Sequence, residues 1–225
     1  GNGVAGDVRI PRVLPGETVE GDVAEGRMPA PRVLDPSPDR VRPPCRHARG
    51  CGGCALQHAR DGFVAAWKAG VIEAALAAQG LATEVRPVIT SPAATRRRAT
   101  FSGRRTRSGA TVGFHARGSD QLIAIPDCRL LHPDLMALVP ALEAVVLAGG
   151  SRKGELALTV TRTRTGPDLA VSGAKPMDAA LGGDLAAIAA SHGIARITWN
   201  GDTVAQQTQP LVSCCSISGI LCPAW

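Results

Sequence analysis

Three cysteines within ten residues place the strongest constraint on how this chain can fold. Cys45, Cys51 and Cys54 stand in the stretch CRHARGCGGC, where three glycines allow the backbone to turn sharply. Thiols this close together can form disulfides, bind zinc or hold an iron–sulfur cluster. The chain has seven cysteines, an odd number, and at 225 residues it is long enough to fold without disulfides. Metal or redox chemistry therefore outranks a disulfide framework.

The spacing C-x5-C-x2-C leaves two kinds of metal site open. A [4Fe–4S] cluster takes one thiolate on each iron, so the triad Cys45, Cys51 and Cys54 with the remote Cys128 would suffice. A zinc ion would instead be held by the same triad and His58, which follows it closely in the sequence. On spacing alone, the two interpretations are about equal.

The charge distribution indicates an anionic partner. The formal net charge is +6, and residues 85–119 contain eight arginines without a single Asp or Glu. Such a run can be a solvated face, but without nearby carboxylates it favours a phosphate-binding surface. The arginines predicted to bind RNA are Arg96, Arg97, Arg98, Arg104 and Arg105. No apolar stretch of about 18 residues predicts a membrane span.

The arginine-rich stretch RRRATFS is predicted to be a strand. Side chains alternate along a strand, so Arg96, Arg98 and Thr100 would share one face. Ala99 and Phe101 would mark the core side, and Arg97 would share that side. Exposed Arg96 and Arg98 are therefore the arginines best placed to meet RNA.

The sequence pattern along the chain predicts four segments. Short strands broken by Pro-Gly turns predict a small β-barrel at residues 1–42, without its first strand, followed by the cysteine loop at 43–60. Mixed strands and helices predict an α+β body at 61–210. Its first helix is predicted to have Asp61 as its N-cap and Gly80 as the C′ residue that ends it. The uncharged residues 211–225 form an atypical tail.

Five stretches, in order, resemble the S-adenosylmethionine-dependent RNA uracil-5-methyltransferases of the 23S rRNA type. They are GVAGDVRIPRVLPGETVEGDV (3–23), the cysteine loop with LQH after it (45–58), TRRRATFS (95–102), VGFHARGSDQLIAIPDCRLLHP (112–133) and IARITWNGDTV (194–204). The first is similar to an OB-type TRAM barrel, and the fourth resembles the segment with the family's last cluster cysteine. The resemblance covers residues 1 to about 210.

The resemblance implies a site and a function. It makes Cys45, Cys51, Cys54 and Cys128 the ligands of a [4Fe–4S] cluster, and it makes the α+β body an RNA-binding domain for 23S rRNA. It implies methyl transfer from S-adenosylmethionine to C5 of a uridine, after a cysteine adds to C6. We further expect a cytoplasmic monomer that does not associate with membranes.

The chain also departs from the family pattern. The glycine turn for S-adenosylmethionine and the catalytic cysteine and glutamate are not found, and Cys214 and Cys215 lack the Asn-Pro context of the nucleophile. We therefore predict that the Rossmann-like methyltransferase domain is absent, and that the tail comes from a shifted reading frame or a mispredicted gene. An inactive, RNA-binding N-terminal fragment is then expected, with S-adenosylmethionine used only by a full-length parent. A free-standing zinc-containing RNA-binding module is the alternative, and an electron-transfer iron–sulfur protein is a third interpretation.

Overall fold

The computed structural model of the chain describes residues 2–212. It has two compact units, Gly1–Pro92 and Ala93–Trp225. The segment boundaries predicted at residues 42, 60 and 210 stay predictions. Residues 213–225 of the predicted tail lie outside the described residues.

Four short strands build the sheets of the first unit. They are β1 (Asn2–Ala5), β2 (Val8–Pro11), β3 (Thr18–Glu20) and β4 (Arg32–Asp35). β1 pairs with β2 and β3 pairs with β4, both antiparallel, as two separate two-stranded sheets. A barrel requires each strand to pair on both sides, and these strands have only three or four residues between turns. The described strands of this unit form two separate sheets rather than one barrel sheet, and the barrel predicted without its first strand is not shown.

A buried carboxylate joins the loops of the first unit. The Glu17 side chain is fully buried and accepts hydrogen bonds from the backbone N–H groups of Leu14 (2.8 Å) and Ser37 (3.1 Å). Arg40 donates to it through Nη2 at 2.6 Å, and the same nitrogen donates to the Arg12 carbonyl at 2.8 Å. Burial raises the pKa of Glu17, but the hydrogen bonds from Arg40 and the two N–H groups outweigh it and lower the pKa to about 2. Glu17 thus links two loops more than twenty residues apart.

The helix after the cysteine loop, α1 (Asp61–Ala78), ends where its sequence predicts, but the predicted N-cap Asp61 is wrong. Arg60 occupies the N-cap without a side-chain cap, so Asp61 is the first helical residue rather than the cap itself. Gly80 has a φ of 71°, the left-handed conformation that favours glycine. The N–H groups of Gly80 and Leu81 donate to carbonyls in the last turn, at 2.9 and 3.0 Å. The predicted glycine stop is confirmed.

The second unit contains one seven-stranded sheet with the order β11-β10-β9-β8-β5-β6-β7. Its strands are β5 (Arg98–Arg105), β6 (Ala110–His115), β7 (Leu122–Ala124), β8 (Leu156–Thr163), β9 (Gly166–Ser172), β10 (Arg196–Trp199) and β11 (Asp202–Gln206). Its helices are α2 (Pro133–Ala137), α3 (Val139–Gly149) and α4 (Ala179–Ser191). β5 and β6 are antiparallel neighbours joined by a short turn, so they form a hairpin.

The sheet is mixed, which corrects the predicted fold class. β9 and β10 are parallel and α4 connects them, whereas the other neighbouring strands are antiparallel. A parallel pair needs a long crossover, and this β-α-β arrangement is the unit from which Rossmann-like sheets are built. The sequence analysis predicted an α+β body, with a Rossmann-like domain absent. That fold class is wrong, because strand pairing depends on contacts that local patterns do not show.

The core of the second unit lies between one face of the sheet and the helices. Phe101 on β5 is fully buried. Two glycines allow close helix–sheet contact: a Cβ on Gly103 would lie 2.4 Å from Cγ2 of Val146, and one on Gly149 would lie 2.1 Å from the ring of Trp199. The described helices of this unit pack on this one face. No described helix in residues 2–212 is long and apolar enough to cross a membrane.

Candidate nucleic-acid interface

The basic strand β5 has the alternating faces that its sequence predicts. Arg98 and Thr100 are exposed, whereas Ala99 and Phe101 are buried. Arg97, just before the strand, is half-buried on the core side. The predicted division of this stretch into an exposed face and a core face is confirmed.

Arg96 and Arg98 present positive charge at the end of the sheet. The Arg96 N–H donates to the Leu130 carbonyl (3.2 Å), and its carbonyl accepts from the His132 N–H (2.9 Å), so the backbone is held firmly. The Arg96 Nε donates to the Arg98 carbonyl at 3.2 Å. Within residues 2–212, neither guanidinium has a carboxylate at ion-pair distance. Their charges are therefore available to an external anion.

The other two arginines predicted on the hairpin differ from each other. Arg105 is exposed and has no ion pair within the described part of the chain. Arg104 donates through Nε to Oε2 of Glu155 at 2.7 Å. Glu155 is just ahead of β8, and β5 pairs with β8. The sequence analysis did not identify Glu155, because it lies 51 positions from Arg104.

Glu155 is the centre of a small polar cluster. His115 Nε2 lies 3.0 Å from its Oε2, and Ser102 also donates a hydrogen bond to it. Burial raises the pKa of Glu155, but hydrogen bonds from His115, Ser102 and Arg104 outweigh burial and lower the pKa below its ordinary range. Glu155 is therefore ionised at neutral pH and is a hydrogen-bond acceptor for three side chains.

The cysteine loop of the first unit is closed by backbone hydrogen bonds. The Cys51 N–H donates to the His47 carbonyl at 2.8 Å, and the Cys45 N–H donates to the Gln57 side chain at 3.3 Å. Cys51 is buried, and Cys45 and Cys54 are half-buried. None of the three is in a disulfide within residues 2–212.

The described side chains are not arranged as a metal site. Among residues 2–212, no group of three or more Cys, His, Asp or Glu side chains could hold a metal ion. Cys128 belongs to the second unit and is a half-buried free thiol. His58, the fourth ligand of the alternative zinc site, is buried with no hydrogen-bond partner at Nε2, and burial lowers its pKa. The predicted [4Fe–4S] cluster and the alternative zinc site therefore both stay predictions.

Proteins described as RNA methyltransferases are similar in sequence to this chain, although no family model matches it. An uncharacterised RNA methyltransferase of Caulobacter vibrioides is 39% identical over 210 residues, which are 90% of this chain and 51% of the relative. One from Brucella suis is 35% identical over 94% of this chain and 52% of the relative. The 23S rRNA (uracil(1939)-C(5))-methyltransferase RlmD of Halomonas elongata is 35% identical over 65% of this chain and 33% of the relative. The chain spans about half the length of the first two relatives.

A solved structure shows a similar fold. Pyrococcus abyssi tRNA (uracil-54, C5)-methyltransferase, in complex with S-adenosyl-L-homocysteine, matches with a TM-score of 0.60 and 17% identity. The match covers 90% of this chain and 51% of that one. This match contradicts the prediction that the methyltransferase fold is absent. The prediction relied on missing motif residues, the glycine turn and the catalytic cysteine and glutamate, whereas a fold is defined by its whole arrangement of strands and helices.

Proposed function

Because the chain is homologous to part of several bacterial RNA methyltransferases, we propose that it acts in the S-adenosylmethionine-dependent methylation of a uridine at C5 in RNA. The exposed arginines of β5 are the part of the chain that binds the RNA backbone. One observation supports this role most: Arg96 and Arg98 are side by side, exposed and without a carboxylate partner. We take 23S rRNA as the substrate class, on the similarity to the RlmD protein.

Phosphate contacts of this kind hold RNA in place for chemistry on a base. Half or more of protein–nucleic acid hydrogen bonds typically go to phosphate and sugar, and they set register and orientation. An enzyme that modifies a base must also remove that base from its stack, which costs a few kcal/mol. Firm contacts to the flanking backbone offset this cost. S-adenosylmethionine supplies the methyl group when bound, and we assign no residue of this chain to it.

The first prediction tests the arginine surface. The double variant R96Q/R98Q should bind a single-stranded 23S rRNA fragment roughly tenfold more weakly, because each charge-assisted hydrogen bond contributes about 1.5–3 kcal/mol before compensation. The slope of log K against log salt should flatten by about 0.7 for each lost phosphate contact. The measurement is a binding titration at three salt concentrations, with the melting temperature as a check on folding.

A matched control uses two cations outside the basic strand. Lys68 on α1 and Lys175 after β9 are exposed. K68Q/K175Q removes the same charge and should leave the salt slope unchanged. Equal effects of both pairs would mean that only net charge matters, and would contradict a specific surface. Unchanged binding in R96Q/R98Q would place the RNA elsewhere.

We also propose, from the sequence resemblance, that Cys45, Cys51, Cys54 and Cys128 hold a [4Fe–4S] cluster. The support is their spacing and order in the chain. Protein purified without oxygen should be brown, with iron and acid-labile sulfide of about four each per chain. C128S should release the cluster, whereas H58A should retain it. Colourless protein with about one zinc per chain, lost in H58A and retained in C128S, would instead support the zinc module.

A further inference from the structure

The face of the seven-stranded sheet opposite the helices has no described helix of its own unit on it. Thr100 on β5 and Thr159 on β8 face each other on it, with their hydroxyl oxygens 2.8 Å apart, and farther along the sheet Arg196 and Asp168 form an ion pair on the same face. Thr161 pairs with Arg98 on the same face. Small hydroxyl side chains leave the surface flat enough for an extended chain to lie across it. The face continues directly from the exposed Arg96 and Arg98.

The Glu155 cluster lies on this open face. Ser102 and Arg104 occupy the same side of β5 as Thr100, because side chains alternate along a strand. The side chains of Arg104 and His115 remain 42% and 41% exposed, whereas Glu155 between them is 26% exposed. Arg104 is bonded through Nε, and its two Nη groups make no hydrogen bond within residues 2–212. The planar guanidinium therefore keeps donors in the geometry that matches a phosphate.

The Glu155 carboxylate is negatively charged, and its presence on a surface that binds negatively charged RNA has to be explained. By itself it repels phosphate, and that repulsion is felt over roughly 8–10 Å at ordinary salt. Glu155 is compensated, since it accepts hydrogen bonds from one cation, one imidazole and one hydroxyl. Its hydrogen bonds already restrict the side chains of Arg104 and His115 before RNA binds. Less rotamer freedom is then lost on binding, a loss that costs about 0.5–1.5 kcal/mol for each ordered side chain.

We propose that Glu155 is a positioning residue for RNA binding: it holds Arg104 and His115 side by side on the open sheet face so that they contact one phosphate of the RNA. The proposal rests on the proposed function, and it extends the RNA surface from the end of β5 to the middle of the sheet. Arg104 supplies the charged contact through its Nη groups. His115, whose Nε2 is bonded to Glu155, reaches the phosphate through Nδ1, which donates when the imidazole is protonated on both nitrogens.

The test asks whether removing the Glu155 carboxylate strengthens or weakens RNA binding. If Glu155 contributes only its charge, E155A should tighten binding of the 23S rRNA fragment, because a repulsive carboxylate is lost. If it positions Arg104 and His115, E155A should weaken binding about fivefold and flatten the salt slope by about 0.7, the value for one phosphate contact. R104Q should weaken binding similarly, and R104Q/E155A should be no weaker than R104Q, since both changes remove one unit.

Controls separate this proposal from folding and from the proposed function. D120N removes an equal charge in the exposed turn between β6 and β7, and should leave affinity unchanged or slightly higher. E155Q retains a hydrogen-bond acceptor and the size of the side chain, so its affinity for RNA should lie between those of wild type and E155A. E155Q therefore still tests the proposal if E155A folds poorly. Tighter binding in E155A and E155Q, as in D120N, would overturn the positioning role and leave RNA binding intact. Failure of the wild type to bind RNA would contradict the proposed function itself.

Discussion

G113A should destabilise the second unit by about 3 kcal/mol, at the upper end of the usual cost of overpacking. A Cβ at Gly113 would lie 1.9 Å from the carbonyl oxygen of Ile123 and 2.8 Å from its carbonyl carbon. These are backbone atoms of β7, which cannot rotate away as a side chain would. Gly113 pairs with Ala124, so β7 must move off β6 to make room. Urea unfolding followed by circular dichroism measures the loss, and amide exchange should show reduced protection along β7.

Gly109, in the turn between β5 and β6, provides the matched control. A Cβ there would meet nothing within 4 Å, so G109A should change stability by less than about 0.5 kcal/mol. Similar unfolding curves for G113A, G109A and wild type would show that β7 is not paired with β6 as described. The comparison also tests the position of the sheet edge, since only a closely packed β7 makes glycine necessary at position 113.

E17Q should destabilise the first unit by on the order of 3 kcal/mol at neutral pH. The lowering of the Glu17 pKa from 4.5 to about 2 corresponds to this amount at about 1.4 kcal/mol per pH unit. Removing the charge leaves the Arg40 guanidinium, with a side chain only 23% exposed, without its partner. The measurement is the free energy of unfolding of wild type and E17Q between pH 2 and pH 7.

The pH dependence has a definite sign. The pKa of Glu17 is lower in the folded state than in the unfolded state, so its contribution is complete above about pH 4.5. It decreases as pH falls towards about 2, where the folded state also takes up the proton. The stability difference between wild type and E17Q should therefore shrink across this window. A difference that is constant with pH would mean that Glu17 stabilises the unit by packing alone.

Glu20 provides the control for this pair. It also bonds an arginine, Arg32, but both side chains are largely exposed, at 59% and 72%. Exposed ion pairs contribute about 0–1 kcal/mol, because water competes for both charges. E20Q should therefore have little effect at any pH between 2 and 7. An effect as large as that of E17Q would show that burial is not what makes the Glu17 pair strong.

Sequence patterns predicted the local features well, because neighbouring residues determine them. Gly80 ends α1 since a left-handed residue is needed there. The alternation of Arg98, Ala99 and Phe101 follows from strand geometry alone. These predictions needed no knowledge of which strand lies beside which.

Patterns failed where the outcome depended on distant pairing. The parallel alignment of β9 with β10, which contradicts the predicted absence of a Rossmann-like domain, depends on how α4 packs back on the sheet, and hydrophobic spacing does not specify this. The barrel and the cluster rest on local patterns and resemblance, and both stay predictions.

The sequence by itself determined that this protein presents a run of arginines without nearby acids, on a strand with one exposed face. Only the tertiary structure decided which of those charges is available. Arg104 is paired because β8 places Glu155 beside it, whereas Arg98 lies opposite Thr161 and has no carboxylate partner within the described residues. The same holds for Glu17, whose pKa depends on donors up to 23 positions away. The physical reason is that charge and alternation are properties of the chain, whereas pairing and burial arise only when distant segments come into contact.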